Sequence, residues 1–178
     1  MKSKAKQAAR SRSRRPALTL TQRVERLERD LLFAAKAPPA PISSRFTRLD
    51  ANGKPTTGDH VAVHDASTGL TWSAGPLLGG KELTHADAMK ACSDLDLMGH
   101  RDWRAPTIQE LLSIVDYERF DPAVDTEVFK GPYGWTWSST LAKSPAGYAW
   151  GVLLSLGGSG HGHQDNHSRV RAVRAGQQ

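Results

Sequence analysis

Most of the side chains that could bind or catalyse lie late in the chain. His161-x-His163-xxx-His167, with Asp165 in the same run, offers the imidazole and carboxylate donors that hold zinc or nickel, while the intervening glycines leave those positions without fixed geometry. Calcium wants a denser set of oxygens than Asp165 and Asn166 supply. Just upstream, Tyr133, Trp135, Tyr148 and Trp150 offer ring faces suited to a sugar or a receptor loop, with His161, His163, Asn166 and His167 as polar contacts. The same four aromatics would also serve as core. No cofactor is implied, and whether the histidine run takes a metal is left open.

Elsewhere the candidates read as scaffold. Asp102 and Glu110 are better placed as partners of Arg104, Arg171 or backbone amides than as an acid and base pair, and no nucleophile has a base beside it. Trp72, Trp103, Arg104 and Trp137 read as braces at turns. Cys92, the chain's single cysteine, lacks the cationic neighbours of an activated thiol and reads as a small buried hydrophobe.

These residues need elements to hold them. In Asp102 to Asp116, Pro106 stops any helix from running through, and Thr107 with Glu110 has the spacing of a capping box. Ile108, Leu111, Leu112 and Val115 then give one apolar helical face. A second helix is expected from Thr84 to about Leu97, with Leu83, Ala88, Ala91, Cys92 and Leu95 on its inner side. Short strands are expected at 46–49, 61–63 and from Leu70, with an Asn52-Gly53 turn signal between the first two. Strands are also expected at 135–140 and 149–154. Residues 157–167 read as a polar glycine-rich loop, and Val170 to Arg174 as a strand alternating apolar and basic. Strands, two helices and a closing antiparallel set make an α+β domain over residues 46–175.

The charge is unevenly shared. Residues 1–48 hold thirteen Lys and Arg against three acids, and residues 49–178 hold eleven against fifteen. Residues 1–17 carry seven basic side chains, no acid and little that is apolar, so a disordered basic arm is expected, either a solvated tail or a binder of phosphate or acidic protein. Leu20, Val24, Leu27 and Leu31 mark a short amphipathic helix over 18–36, for docking or oligomerisation. A Pro-rich linker follows at 37–45. No apolar run is long enough to span a membrane and no secretory signal is visible, so a cytoplasmic start is expected. The single cysteine excludes an internal disulfide framework.

Four motifs carry a family resemblance. Asp65-xx-Thr68-Gly69-Leu70-x-Trp72, Asp102-Trp103-Arg104-x-Pro106-Thr107-xx-Glu110-Leu111, Trp137-Ser138-Ser139-Thr140 and Val170-Arg171-x-Val173-Arg174 occur in the order found in the C-terminal domain of bacterial collagen-like adhesins. The chain resembles that Lcl C-terminal domain family over about residues 46–175. The resemblance implies a C-type-lectin-like fold, met in bacterial surface proteins, phage tail proteins and targets of diversity-generating retroelements. It makes Asp65, Gly69, Trp72, Asp102, Trp103, Arg104, Glu110, Trp137, Arg171 and Arg174 structural. Family members often pair a cysteine on the first helix with one in the final arginine motif; here Cys92 meets Ala172.

The lost pair fits assembly inside a reducing cell. The function implied is a non-enzymatic ligand-binding or structural module, most consistent with a phage tail or other virion appendage built in a host cytoplasm. Its expected partners are virion or surface-assembly proteins through residues 1–36, further copies of itself, and a cell-surface glycan or protein. Two rivals remain. One is an oxidase like the formylglycine-generating enzymes, whose chemistry needs paired cysteines. The other is a nucleic-acid-associated protein acting through the basic arm.

Overall fold

The computed structural model describes residues 45–175. The basic arm, the amphipathic helix and all of the linker but Arg45 lie outside the described residues. Arg45 itself is bound to the body, its guanidinium meeting the buried Asp65 carboxylate at 2.9 and 2.6 Å.

Seven strands and two α-helices make up the body, with most strand pairing antiparallel. β1 (Phe46–Leu49), β2 (Ala62–Asp65) and β3 (Leu70–Ser73) form a meander. Gly53 at φ 74° and Gly69 at φ 69° supply the left-handed corners of its two turns. In the second turn the Gly69 amide donates to the Asp65 carbonyl at 2.8 Å. β7 (Val173–Ala175) adds to β3, giving the order β1-β2-β3-β7.

Both helices start where the capping residues require. In α1 (His85–Ser93) the Thr84 hydroxyl accepts from the Asp87 amide. In α2 (Ile108–Ser113) Thr107 and Glu110 form the full capping box, and the apolar face buries Ile108 and Leu111 with Ile114 just beyond. Both helices are shorter than their apolar spacing predicts. α1 gives way to a turn in which Met98 (φ 57°) and Gly99 (φ 73°) are left-handed and Leu97 pairs with His100. Apolar periodicity thus continued past the helix because Leu95 and Leu97 still pack on the core.

Two expectations are corrected. Residues 157–167 are not one loop: Gly158–His163 is β6, paired rung by rung with β5 (Tyr148–Leu153), which in turn pairs with β4 (Trp135–Leu141). Glycine lowers strand propensity, but here the small residues admit neighbouring indoles, as shown below. Nor is 170–174 one alternating strand. Only Val173–Ala175 is ladder; before it, the Val170 and Ala172 carbonyls accept from Leu77 and Ser73, and Arg171 is fully buried. Its guanidinium donates to the Ala74 and Lys130 carbonyls at 2.8 and 2.6 Å. A buried cation is thus solvated by backbone dipoles that tie β7 to two loops.

The core has two parts. One gathers Val63, Trp72 and Val173 with Ile108, Leu111, Phe129, Val152 and Leu154; the other gathers Ala62, Ala88, Cys92, Trp103, Trp137, Ala149 and Ala172. The β4-β5-β6 sheet contributes to both, Val152 to the first and Trp137 and Ala149 to the second. β5 is the central strand of this sheet, and β6 is an edge.

Candidate ligand-binding site

Strand alternation divides the expected site residues. The register pairs Tyr148 with His163, Trp150 with His161 and Val152 with Ser159, so these share one face. Gly158, Gly160 and Gly162 lie on the other, opposite Leu153, Gly151 and Ala149, and Trp135 and Trp137 pair with Leu153 and Gly151 on that same side. The Gln164 amide donates to the Gly147 carbonyl at 2.9 Å, which makes that pair hydrogen-bonded. Counting on by one, 148/163 and 150/161 are the narrow, non-hydrogen-bonded pairs whose side chains approach most closely.

On the first face the narrow pairs build a row of rings. Trp150 meets His161 with centroids 5.3 Å apart, His161 meets Tyr148 at 5.5 Å and Tyr148 meets His163 at 5.3 Å, all edge to face. His161 and His163 are exposed, Tyr148 is half-buried, and Trp150 rests on the core cluster of Val152 and Leu154. Edge-to-face contact aligns each ring's positive rim with its neighbour's negative face, so the row is ordered without a ligand. The His163 Nδ1 also accepts from the Asp165 amide at 3.3 Å.

On the second face the glycines make room. A Cβ at Gly160 would stand 3.0 Å from the Trp135 ring, one at Gly162 3.4 Å from Trp137, and one at Gly151 2.6 Å from the Thr136 carbonyl. The Trp137 indole donates to the Leu83 carbonyl at 3.0 Å and packs against His85, so it belongs to the core. Trp135 is half-buried at the margin of an open recess of about 500 Å³ that Asp165, Asn166 and His167 also line. His167 therefore lies with the recess and His161 and His163 with the ring row. Among the described residues no three His, Cys, Asp or Glu groups converge on a point that would hold a metal ion.

Tyr133 is engaged elsewhere. Its hydroxyl donates to the Phe129 carbonyl at 2.6 Å, its ring packs on the core, and burial raises its phenol above the ordinary range.

The motif residues form a frame of charge-assisted bonds. Asp65 accepts from Arg45, from the Ser67 amide and hydroxyl, and from Thr68. Arg104 meets Glu110 through two bonds at 2.8 and 2.6 Å, and Glu110 returns to the Thr107 amide. The Arg104 contact, with help from Thr107, holds the Glu110 carboxyl below its ordinary range despite partial burial. Asp102 pairs with Arg174 at 2.8 Å, a partner the sequence did not indicate. Trp72 and Trp103 are buried, the latter beneath the Arg174 guanidinium at 6.0 Å.

With this frame in place, the Lcl C-terminal domain family matches residues 61–174. The chain belongs to that family. No curated protein matches the chain. The Lcl C-terminal domain family is an adhesin-type module and not a known enzyme family.

In this Lcl domain the Cys92 thiol is fully buried, burial pushes it up to about 12, and it lies 3.7 Å from the Arg171 carbonyl, beside Ala172. No helix among the described residues is long and apolar enough to cross a membrane.

Sequence reading missed two surfaces of the Lcl domain. Tyr117, Phe120 and Leu156 are exposed apolar residues on neighbouring turns, tied together by the Asp121 amide on the Ser155 carbonyl. Thr47, His64, Thr71 and Arg174 meet on the outer face of the first sheet. Single exposed aromatics carry no periodic signal, and the second set depends on a strand register that no local motif specifies.

Proposed function

We propose that this Lcl domain is a non-catalytic, lectin-like head that recognises a surface glycan or protein through its β4-β5-β6 sheet, carried on a phage tail or other virion appendage. The observation that carries the reading is the ring row Trp150, His161, Tyr148 and His163. These are flat, mutually ordered groups on an exposed sheet, three of them outside the core clusters. Rigid aromatic side chains give large contact area at low entropic cost, which is what a recognition surface requires. Trp135, Asp165, Asn166 and His167 form a second, polar patch on the opposite face, available to a bulkier ligand.

The virion assignment rests on the family's range and on the missing partner for Cys92, which lets the domain fold where thiols stay reduced. The basic arm and amphipathic segment at 1–36 then serve as the attachment to a particle, as a self-association element, or both.

The test is binding of the full-length oligomer to intact bacterial cells and to a glycan array, beside mass spectrometry of purified particles. Tyr148→Ala with His161→Ala should abolish binding while leaving the fold intact; Asp165→Ala with Asn166→Ala reports on the opposite face. Retention of full binding by both double variants would refute the sheet as the recognition surface. Absence of the chain from particles would refute the virion role.

The rival enzyme reading has little to stand on in the Lcl domain, because the single thiol is buried and strongly protonated. Copper-dependent oxidation of a peptide thiol by the purified protein would restore it.

A further inference from the structure

We propose that the outer face of the β1-β2-β3-β7 sheet binds a small oxyanion, a carboxylate, sulfate or phosphate group, separately from the β4-β5-β6 surface. The register places one polar residue from each strand in a single row: Thr47 opposite His64, His64 opposite Thr71, Thr71 opposite Arg174. Directly opposed residues share a face and stand about 5 Å apart, so the row is a line of hydroxyl, imidazole, hydroxyl and guanidinium. It lines a cavity of about 320 Å³ that His100 and Met98 also border.

The donors in this cavity are not matched by acceptors of the protein. Arg174 is a buried side chain, 8% exposed, whose Nε donates to Asp102. Its remaining guanidinium N–H groups donate to no described group. His64 lies with Nδ1 3.4 Å from the Thr71 hydroxyl, leaving Nε2 for another partner. No carboxylate lines the cavity, since Asp102 is held on the guanidinium outside it. The terminal guanidinium nitrogens of Arg174 are not among the fully buried polar atoms left without a partner, so they reach the solvent in the cavity, and a ligand that is only an acceptor can take the place of that solvent. A planar fork beside hydroxyl groups suits an oxyanion better than a halide, because it can offer parallel bonds to paired oxygens. The volume exceeds that of the bare ion, which leaves room for an organic group bearing it.

The test follows the histidine ring signals of the full-length protein by NMR during titration with sodium sulfate, sodium phosphate or sodium acetate. Sodium chloride at matched ionic strength and fixed pH is the reference. The expected result is saturable movement of the His64 and His100 signals with at least one oxyanion and not with chloride, the preferred anion naming the class. Thr47→Val and His64→Gln should each weaken that binding about fivefold or more. Lys143→Gln, far along the chain on the β4–β5 turn, should leave it unchanged. Two variants guard against loss of fold in one of them. Shifts that stay linear, that chloride reproduces, or that survive both variants at full strength would overturn the proposal.

Discussion

Gly160 lies against the indole of Trp135, so close that a Cβ on the glycine would stand 3.0 Å from the ring. Gly160 and Gly162 of β6 are therefore spacers that let the Trp135 and Trp137 indoles lie across the strands.

Gly151, which faces Gly160 from β5, is less replaceable than either. An added methyl would meet the Thr136 carbonyl at 2.6 Å and the Trp135 indole nitrogen at 3.1 Å, and backbone cannot move aside as a side chain can. Gly151→Ala should cost about 1–3 kcal/mol, Gly160→Ala less because the indole can shift. Urea unfolding followed by tryptophan fluorescence would show the order, and the reverse order would contradict the packing described.

Asp65 should set part of the acid limb of stability. Burial raises its carboxyl, but the hydrogen bonds from Arg45, Ser67 and Thr68 outweigh burial and hold it at about 2, below the ordinary 3.8. A depressed folded value means that the contribution is complete above the ordinary value and is lost as pH falls through about 2. Arg45 is 38% exposed, so solvent screening reduces the worth of the arrangement to roughly 1–2 kcal/mol. Asp65→Asn should lose that amount at neutral pH and flatten the acid limb in thermal melts. An unchanged limb would mean that Asp65 is not the group responsible.

The fold was legible where local rules and tertiary packing agree. Thr107 and Glu110 announced their helix because a capping box satisfies amides within one turn, whatever lies beyond. The strand at 170–174 was overextended because alternation reads Arg171 as one rung of a ladder; nothing local signals that the Ala74 and Lys130 carbonyls, and not a carboxylate, converge on it. The Gly158–His163 strand was hidden for a related reason. Its glycines argue against a strand until the indoles they accommodate are known, and those indoles belong to another strand. The candidate site suffered most. Splitting Tyr148, Trp150, His161 and His163 from Trp135 and His167 follows from a register that spacing along the chain does not contain.

Ala172→Cys should close a disulfide with Cys92 under oxidising conditions, since the thiol already sits 3.7 Å from the carbonyl that precedes Ala172. Closing so long a loop would stabilise by up to about 4 kcal/mol on the chain-entropy account. The melting temperature should rise on oxidation and fall with reductant. In the natural sequence the thiol, raised to about 12 by burial, should resist alkylation until the domain unfolds. Rapid labelling of native protein, or a variant that stays reduced, would show that helix α1 and the final arginine motif are not apposed as described.

Arg171 offers the sharpest test of the frame. It is fully buried with no carboxylate partner, and two backbone carbonyls from distant loops accept from its two terminal nitrogens. Arg171→Lys keeps the charge but cannot span both carbonyls, so one stays unsatisfied. Arg171→Met removes the desolvated charge and leaves both without a donor. Each should cost about 2–4 kcal/mol, the lysine by stranding a charge and the methionine by stranding acceptors. The two routes share one signature: hydrogen exchange near Ala74 and Lys130 should quicken in both variants, because the loops lose their common tie. A methionine variant as stable as the natural protein, with slow exchange at both loops, would show that the carbonyls had found other donors and that Arg171 is not what joins them.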